Sequence, residues 1–171
     1  RYSNNTIVLN QHRSNSKESI DTLSGVSTNN VIQKVNKEVK VVDEDFHTSK
    51  SSHGLQDLWY ELKEKLDTLN DVELIPKNNY ISLMYSGKTL SYFIFRKNNI
   101  MIEMGRGNIN QDGTKSKNFF NIDDPKNYSI ETSWEWKSGV KGNMYKVKMT
   151  LGSDLDYIMF LITQKYKNLQ K

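Results

Sequence analysis

The chain has 171 residues, with 24 Lys and Arg against 20 Asp and Glu and a net charge of +4. This length predicts one domain with room for a tail. The absence of cysteine excludes a disulfide scaffold, a thiolate zinc site, an iron–sulfur centre and a cysteine nucleophile. No apolar run reaches the roughly 18 residues of a membrane span, and the polar N-terminal segment lacks the pattern of a signal peptide. We therefore expect a cytoplasmic protein without a membrane partner.

The N-terminal part of the chain differs in composition from the rest. Residues 1–45 are dominated by Asn, Ser, Thr, Gln and Lys. Such a segment buries too little apolar surface to offset a chain entropy of ~1–2 kcal/mol per residue. Only residues 30–42 contain a run of Val and Ile, whose spacing fits a helix and a strand equally well. We predict a linker-like arm over residues 1–45, partly ordered at 30–42, and a single domain over residues 46–171. The start at Arg1 fits a piece of a longer protein.

Two segments have apolar residues at the spacing of an amphipathic helix. They span residues 55–69 and 155–169, and in each the apolar residues follow one another at steps of three, one, three, four and three, which places them on one helical face. Ser153 is predicted as the N-cap of the second helix, with Asp156 completing a variant of the capping box.

Five strand-like runs lie between these helices, separated by turn signals such as Gly105-Arg106-Gly107, which we interpret as a loop turn. The runs cover residues 80–85, 89–96, 100–104, 128–137 and 144–151. In the last run, apolar residues from Tyr145 to Leu151 alternate with polar ones, which predicts one buried face. The order helix, strands, helix predicts an α+β fold with an antiparallel sheet of about five strands and both helices packed on one face.

Basic and aromatic side chains alternate along the predicted strands. A sheet face that carries both can stack bases and contact phosphates. Any half-buried strand also places aromatics inward and Lys outward, so a purely structural role competes with this interpretation. The predicted nucleic-acid or partner-binding residues are Tyr85, Lys88, Arg96, Lys97, Trp134, Trp136, Lys137 and Lys141.

Two other functions remain open from the residues alone. Asp123 or Asp124, together with Glu135 and Lys137, has the acid and acid-x-Lys pattern of a Mg²⁺-dependent nuclease. An acid two residues before a Lys is common by chance, and a turn with a cross-strand ion pair explains it as well. A pocket between sheet and helices, with Tyr80, Tyr92 and Trp59 as its walls, would instead bind a small ligand.

The sequence does not predict a metal site or a cofactor. His12, His47 and His53 lie in or beside the polar arm, and none has a ligand partner three or four residues away. Because no His falls within the predicted core, a Ser–His–acid hydrolase is not expected either.

Short motifs follow one another in a characteristic order over residues 44–171. They are Asp45-Phe46-His47, Leu66-Asp67-Thr68-Leu69, Asp71-Val72-Glu73, Tyr80-Ile81, Phe93, Asp123-Asp124-Pro125, Gly142-Asn143, Leu155-Asp156-Tyr157-Ile158, Leu161-Ile162 and Tyr166. In these motifs the chain resembles the uncharacterised bacterial family called domain of unknown function 5655, whose members are often named predicted transport protein. That family usually carries a Gly-His-Trp-Gly-Asn-Gly-like segment after the Asp-Pro turn. Residues 133–143 of this chain are longer and lack the His, so an activity that needs it is not expected.

Domains of this family often form the C-terminal part of bacterial proteins, some with restriction-endonuclease-like modules ahead of them. The resemblance therefore implies a non-catalytic accessory module of a restriction or defence-type protein. Its expected partners are DNA, RNA or an upstream nuclease-like domain.

Overall fold

The computed structural model describes residues 42–117 and 119–171. Its helices are α1 (Glu44–Thr48), α2 (His53–Leu66) and α3 (Leu155–Leu169). Its strands are β1 (Val72–Pro76), β2 (Ile81–Tyr85), β3 (Lys88–Arg96), β4 (Asn99–Ile109), β5 (Ser129–Glu135) and β6 (Lys141–Met149). Residues 1–41 of the predicted arm lie outside the described residues, and so does nearly all of the segment 30–42 that was predicted to be partly ordered. The last two arm residues, Glu44 and Asp45, belong to α1.

The six strands form one antiparallel sheet in the order β1-β2-β3-β4-β6-β5. Short turns join the first four strands, so that neighbours in sequence are also neighbours in the sheet. β5 and β6 form a hairpin in which β6 pairs with β4 and β5 becomes the edge strand. The predicted α+β class and the antiparallel sheet are therefore confirmed.

The helices pack on one face of the sheet and enclose the core there. Trp59 of α2 is fully buried and meets Phe93 and Phe95 of β3 edge to face, with ring centroids 4.9 and 5.0 Å apart. Tyr166 of α3 contacts Tyr85 of β2 on the same side of the sheet, at 4.9 Å. The prediction that both long helices share one face is thus also confirmed.

Two elements of the structure, β1 and α1, were not predicted from the sequence. β1 contains only five residues and ends in a proline, so its apolar pattern is too short to be recognised in the sequence. α1 is also only five residues long. Its first residue, Glu44, connects it to α2 by accepting a 2.7 Å hydrogen bond from the indole N–H of Trp59.

The interpretation of Gly105-Arg106-Gly107 as a turn is wrong. β4 continues through these residues to Ile109 and pairs with β6 on both sides of a bulge between Gly105 and Gly107. Gly107 has a φ of +145°, which glycine adopts without strain. The glycines therefore support a bulge within a long strand.

Two details at the start of α3 also differ from the prediction. Asp154 is the N-cap, because its carboxylate accepts a 3.0 Å hydrogen bond from the amide of Tyr157. Ser153 instead accepts a hydrogen bond from the amide of Thr150 in the preceding turn. Leu151 was predicted to be buried with Tyr145, but it is 63% exposed because β6 ends at Met149.

Candidate nucleic-acid interface on the open sheet face

The second face of the sheet, opposite the described helices, is called here the open face. Strand register assigns its central residues, because Tyr92 lies opposite Glu103 and Glu103 lies opposite Lys146. Side chains two residues apart in a strand project to the same side. The open face therefore also carries Ile94, Met101, Gly105, Met144, Lys148, Gly142 and Trp134.

A depression of about 360 Å³ lies on the open face where β3, β4 and the β5–β6 hairpin meet. It is lined by Tyr92, Glu103, Gly105, Trp134, Glu135, Trp136 and Met144. Aromatic rings and a methionine form most of its wall, and two carboxylates supply polar groups. This volume lies within the range of small-molecule sites of roughly 300–1,000 Å³.

The two tryptophans at this depression form an edge-to-face pair, with ring centroids 5.9 Å apart and planes at 78°. Trp136 is 65% exposed, which is unusual for so large an apolar side chain. Tyr92, on the opposite wall, is held by an edge-to-face contact with Tyr80 at 4.7 Å. The aromatic surface therefore extends across the sheet from β5 to the residue that precedes β2.

Basic groups flank this aromatic surface. Lys146 forms a 2.9 Å ion pair with Glu103, which largely neutralises the centre of the face. Lys148 and Arg96 lie on the same face near the β3–β4 turn, and both side chains are exposed. Lys137 lies in the exposed turn between β5 and β6. The open face thus combines an aromatic centre with cations at its two ends.

The structure places part of the predicted binding set at this depression. Trp134 and Trp136 line it, and Lys137 follows Trp136 directly. Lys141 lies opposite Glu135 in the hairpin and forms a 3.3 Å ion pair with it. These four residues therefore share one hairpin.

The other four predicted residues are distributed over two further places. Tyr85 is half-buried and packs against Tyr166 of α3, so its ring belongs to the core. Lys88 and Arg96 occupy opposite ends of β3, about 26 Å apart at the usual rise per strand residue. Lys97 is exposed in the β3–β4 turn beside Arg96.

Sequence reasoning missed the residues that complete the depression. Glu103, Gly105 and Met144 come from neighbouring strands, and only the pairing of β4 with β6 brings them beside Trp134. A local sequence signal of a surface site is Trp136 directly before the polar turn residues Lys137-Ser138-Gly139. No pattern within a single strand identifies the others.

The acids of the nuclease alternative do not converge. Asp124 accepts hydrogen bonds from the amide and hydroxyl of Ser129, both at 2.7 Å, and from the hydroxyl of Tyr157 at 2.6 Å. Ser129 begins β5 and Glu135 ends it, so the two carboxylates lie about 20 Å apart. Asp123 is exposed beside Asp124. Among the described residues, no group of three His, Asp or Glu side chains is placed to hold a metal ion.

The environment of Asp124 fits a structural role. Burial acts to raise the pKa of its carboxyl, but the hydrogen bonds from Tyr157, Ser129 and the backbone outweigh burial and hold the pKa below its ordinary value. A carboxylate that already accepts from these donors fixes the loop between β4 and β5.

The walls of the predicted small-ligand pocket also lie apart. Trp59 is fully buried on the helix-covered side, whereas Tyr80 and Tyr92 contact each other on the open face. Packing therefore fills the place where that pocket was predicted, and the depression that exists lies on the other side of the sheet.

No family model, curated protein or solved structure matches the chain. The resemblance to domain of unknown function 5655 therefore stays a prediction from the motifs themselves. Within the part of the chain that is described, no helix is long and apolar enough to cross a bilayer.

Proposed function

We propose that this domain is a non-catalytic module that binds single-stranded nucleic acid on its open face. The observation that carries the proposal is the depression between Tyr92, Trp134 and Trp136 on a sheet face with cations at its ends. An exposed tryptophan pair offers stacking surfaces that every nucleobase can use. Because bases in a duplex are already stacked, such a surface favours single strands.

The charges around the depression support the same ligand. Lys137 at one end and Arg96 with Lys148 at the other lie outside the aromatic centre, where the backbone of a bound strand would leave it. Cations at such positions contact phosphates and release counterions, so affinity falls as salt rises. Glu103 and Glu135 line the depression, and their carboxylates, which pair with Lys146 and Lys141, have further lone pairs that can accept hydrogen bonds from base amino groups.

The proposal is tested by fluorescence anisotropy with an unphosphorylated oligonucleotide of about 12 nucleotides. Single-stranded RNA, single-stranded DNA and the matching duplexes are compared at about 50 and 200 mM salt, with and without Mg²⁺. We expect salt-dependent binding of single strands, weaker binding of duplexes and no cleavage. Cleavage that requires Mg²⁺ would contradict the non-catalytic role, and equal affinity for duplex and single strand would contradict base stacking.

Matched variants separate the site from general surface effects. Trp134→Ala combined with Trp136→Ala should weaken single-strand binding at least tenfold, since stacking contributes ~1–3 kcal/mol per base. Phe160→Ala on α3 and Tyr60→Ala on α2 remove rings that are 42% and 44% exposed on the helix side, and they should leave binding unchanged. Lys148→Glu should weaken binding and flatten its salt dependence, whereas Lys167→Glu on α3 should not.

The family resemblance extends this proposal to the protein's setting. We propose that the domain acts as an accessory part of a restriction or defence-type bacterial protein, where it holds nucleic acid for an upstream nuclease-like domain. The hypothesis is tested by measuring cleavage of single-stranded DNA and RNA by the complete native polypeptide, and a complete polypeptide that cleaves neither would contradict it. Trp134→Ala with Trp136→Ala should then raise the KM for single-stranded substrate and leave kcat unchanged.

A further inference from the structure

The sheet opens into a cleft between β3 and β4. Their pairing ends at Tyr92 and Glu103, and beyond this point β3 pairs only with β2 and β4 only with β6. The cleft lies beside the bulge at Gly105 and Gly107 and faces the C-terminal half of α3.

Lys165 of α3 reaches into this opening. Its side chain is only 7% exposed, and its ammonium donates a 2.6 Å hydrogen bond to the carbonyl of Gly105. The ammonium also lies 4.9 Å from the centre of the Phe120 ring. Among the described residues, no carboxylate forms an ion pair with Lys165. An ammonium has three donors, so one carbonyl does not satisfy it.

Further cations surround the buried ammonium. Lys88, Lys117 and Lys171 line a depression of about 480 Å³ together with Lys165 and Asn168, and this set is called here the lysine cleft. A second depression of about 450 Å³ shares Lys117 and Lys165 with it and extends to Trp134. Neither of these two linings contains an Asp or a Glu. Four lysine side chains with no Asp or Glu among the lining residues have the composition that an anion site requires.

We propose that the lysine cleft binds a phosphate monoester. The buried position of Lys165 selects a group that ends a chain, because a phosphodiester with a substituent on both sides cannot descend to the ammonium. A monoester also carries up to two negative charges for the surrounding cations to neutralise. This assignment rests on the proposed function. The monoester that fits best is the terminal phosphate of the strand whose base stacks on Trp134, because one depression is lined by both Trp134 and Lys165.

The electrostatics of Lys165 agree with this assignment. Burial lowers the pKa of its ammonium to about 8, because the charged form lacks a compensating anion. A bound phosphate would supply that anion and favour the protonated form. Lys88, Lys117 and Lys171 line the same depression from β3, from the loop after β4 and from the residues that follow α3. Arg106 of β4 lines the adjoining depression and is already paired with Glu131.

The test compares oligonucleotides that differ only in their ends. The affinity for the same single strand is measured with a 5′-phosphate, with a 3′-phosphate and with hydroxyls at both ends. Calorimetry measures the affinity for inorganic phosphate, which is not attached to a strand. We expect one terminal phosphate to tighten binding at least tenfold. Tighter binding of a phosphorylated oligonucleotide identifies the strand end as the source of the bound phosphate. Tight binding of inorganic phosphate, with no gain from a phosphate on the oligonucleotide, identifies a free phosphorylated ligand.

Variants assign the effect to the lysine cleft. Lys165→Met should remove the gain from the terminal phosphate and change the affinity of the hydroxyl-ended strand less than twofold. Lys88→Ser with Lys117→Ser, both at exposed positions, should remove most of the gain even if Lys165→Met fails to fold. Lys167→Ser, exposed on α3, is the matched control and should change nothing.

The outcomes separate the two proposals. If the hydroxyl-ended strand does not bind but inorganic phosphate binds and depends on Lys165, the open-face function fails and the phosphate site stands. If phosphorylated and hydroxyl-ended strands bind equally and inorganic phosphate does not bind, the phosphate site is overturned while the open-face function stands.

Discussion

The indole of Trp134 on β5 lies over the backbone of Gly142, its cross-strand partner on β6. A β-carbon at residue 142 would come within 2.6 Å of Cε2 of this ring and of the carbonyl oxygen of Gly107. Real β-carbons do not approach other atoms so closely, so any larger residue would displace the ring. The aromatic wall of the open face therefore depends on a residue that has no side chain.

Gly142→Ala should destabilise the domain by about 1–3 kcal/mol, because the added methyl overpacks a site enclosed by ring and backbone. Gly105→Ala on the adjacent strand is the steric control, since a β-carbon there meets open space and should change stability by less than about 0.5 kcal/mol. Urea unfolding, monitored by circular dichroism, measures the free energy of unfolding of both variants. Equal stability of the two variants would contradict the close approach of Trp134 to Gly142.

Trp59 of α2 is a fully buried aromatic residue of the core. Trp59→Ala should lower the free energy of unfolding by about 3–5 kcal/mol, because it leaves a cavity against Phe93 and Phe95. Tyr60→Ala changes the next residue, which is 44% exposed, and should cost less than about 1 kcal/mol. Thermal unfolding of the two variants checks the difference. A similar loss for both would mean that α2 is not oriented with Trp59 towards the sheet.

Arg106 fixes the loop between β4 and β5 to the sheet. Its guanidinium is buried, pairs with Glu131, donates to the carbonyl of Phe120 at 3.1 Å and donates to Asn121 at 2.6 Å. Arg106→Met should cost about 3 kcal/mol, because these charge-assisted hydrogen bonds are lost together. It should also increase proteolytic cleavage between β4 and β5.

A surface ion pair provides the comparison for Arg106. Lys126 pairs with Asp154 at 2.8 Å, and both side chains are about half exposed. Lys126→Met should therefore cost no more than about 1 kcal/mol. Chemical denaturation and limited proteolysis of the two variants decide whether burial makes the difference, and an equally small effect at Arg106 would show that it does not.

His47 should make stability depend on pH. Its ring is buried, and burial lowers its pKa from the ordinary 6.5, although Nε2 donates a 2.7 Å hydrogen bond to the carbonyl of Lys77. The unfolded chain then binds a proton more readily than the folded one. The contribution of His47 is complete above pH 6.5 and is lost as pH falls below this value.

Urea midpoints between about pH 5.5 and 7.5 measure this effect. The urea concentration at the wild-type midpoint should decrease as the pH is lowered towards 5.5, and this decrease should be smaller in His47→Gln. His53→Gln, which changes an exposed histidine at the start of α2, should preserve it. A decline that is equally steep in His47→Gln would assign the pH dependence to other groups.

Local patterns in the sequence predicted the two long helices and most of the strands of this fold, but not the second half of β4. The apolar spacing from Leu55 to Leu66 defines a helical stripe, and the alternation from Tyr145 to Met149 defines a strand with one buried face. These patterns repeat within a single element, so they are visible without any knowledge of its neighbours. They were sufficient for the α+β class, the antiparallel pairing and the placement of both long helices on one face.

The sites depend on contacts between residues that are far apart in the chain. Trp134 meets Gly142 through a hairpin, Glu103 and Met144 join them through β4–β6 pairing, and Lys165 reaches Gly105 from a different element. Pairing also decided that Gly105 and Gly107 belong to a bulged strand, since the same glycines are compatible with a turn. Periodicity identified the core-facing side chains of the two long helices, because the pattern repeats within a single element. The sequence does not show which aromatic and basic groups share a surface, because strand register and the opening between β3 and β4 are set by packing of the whole sheet.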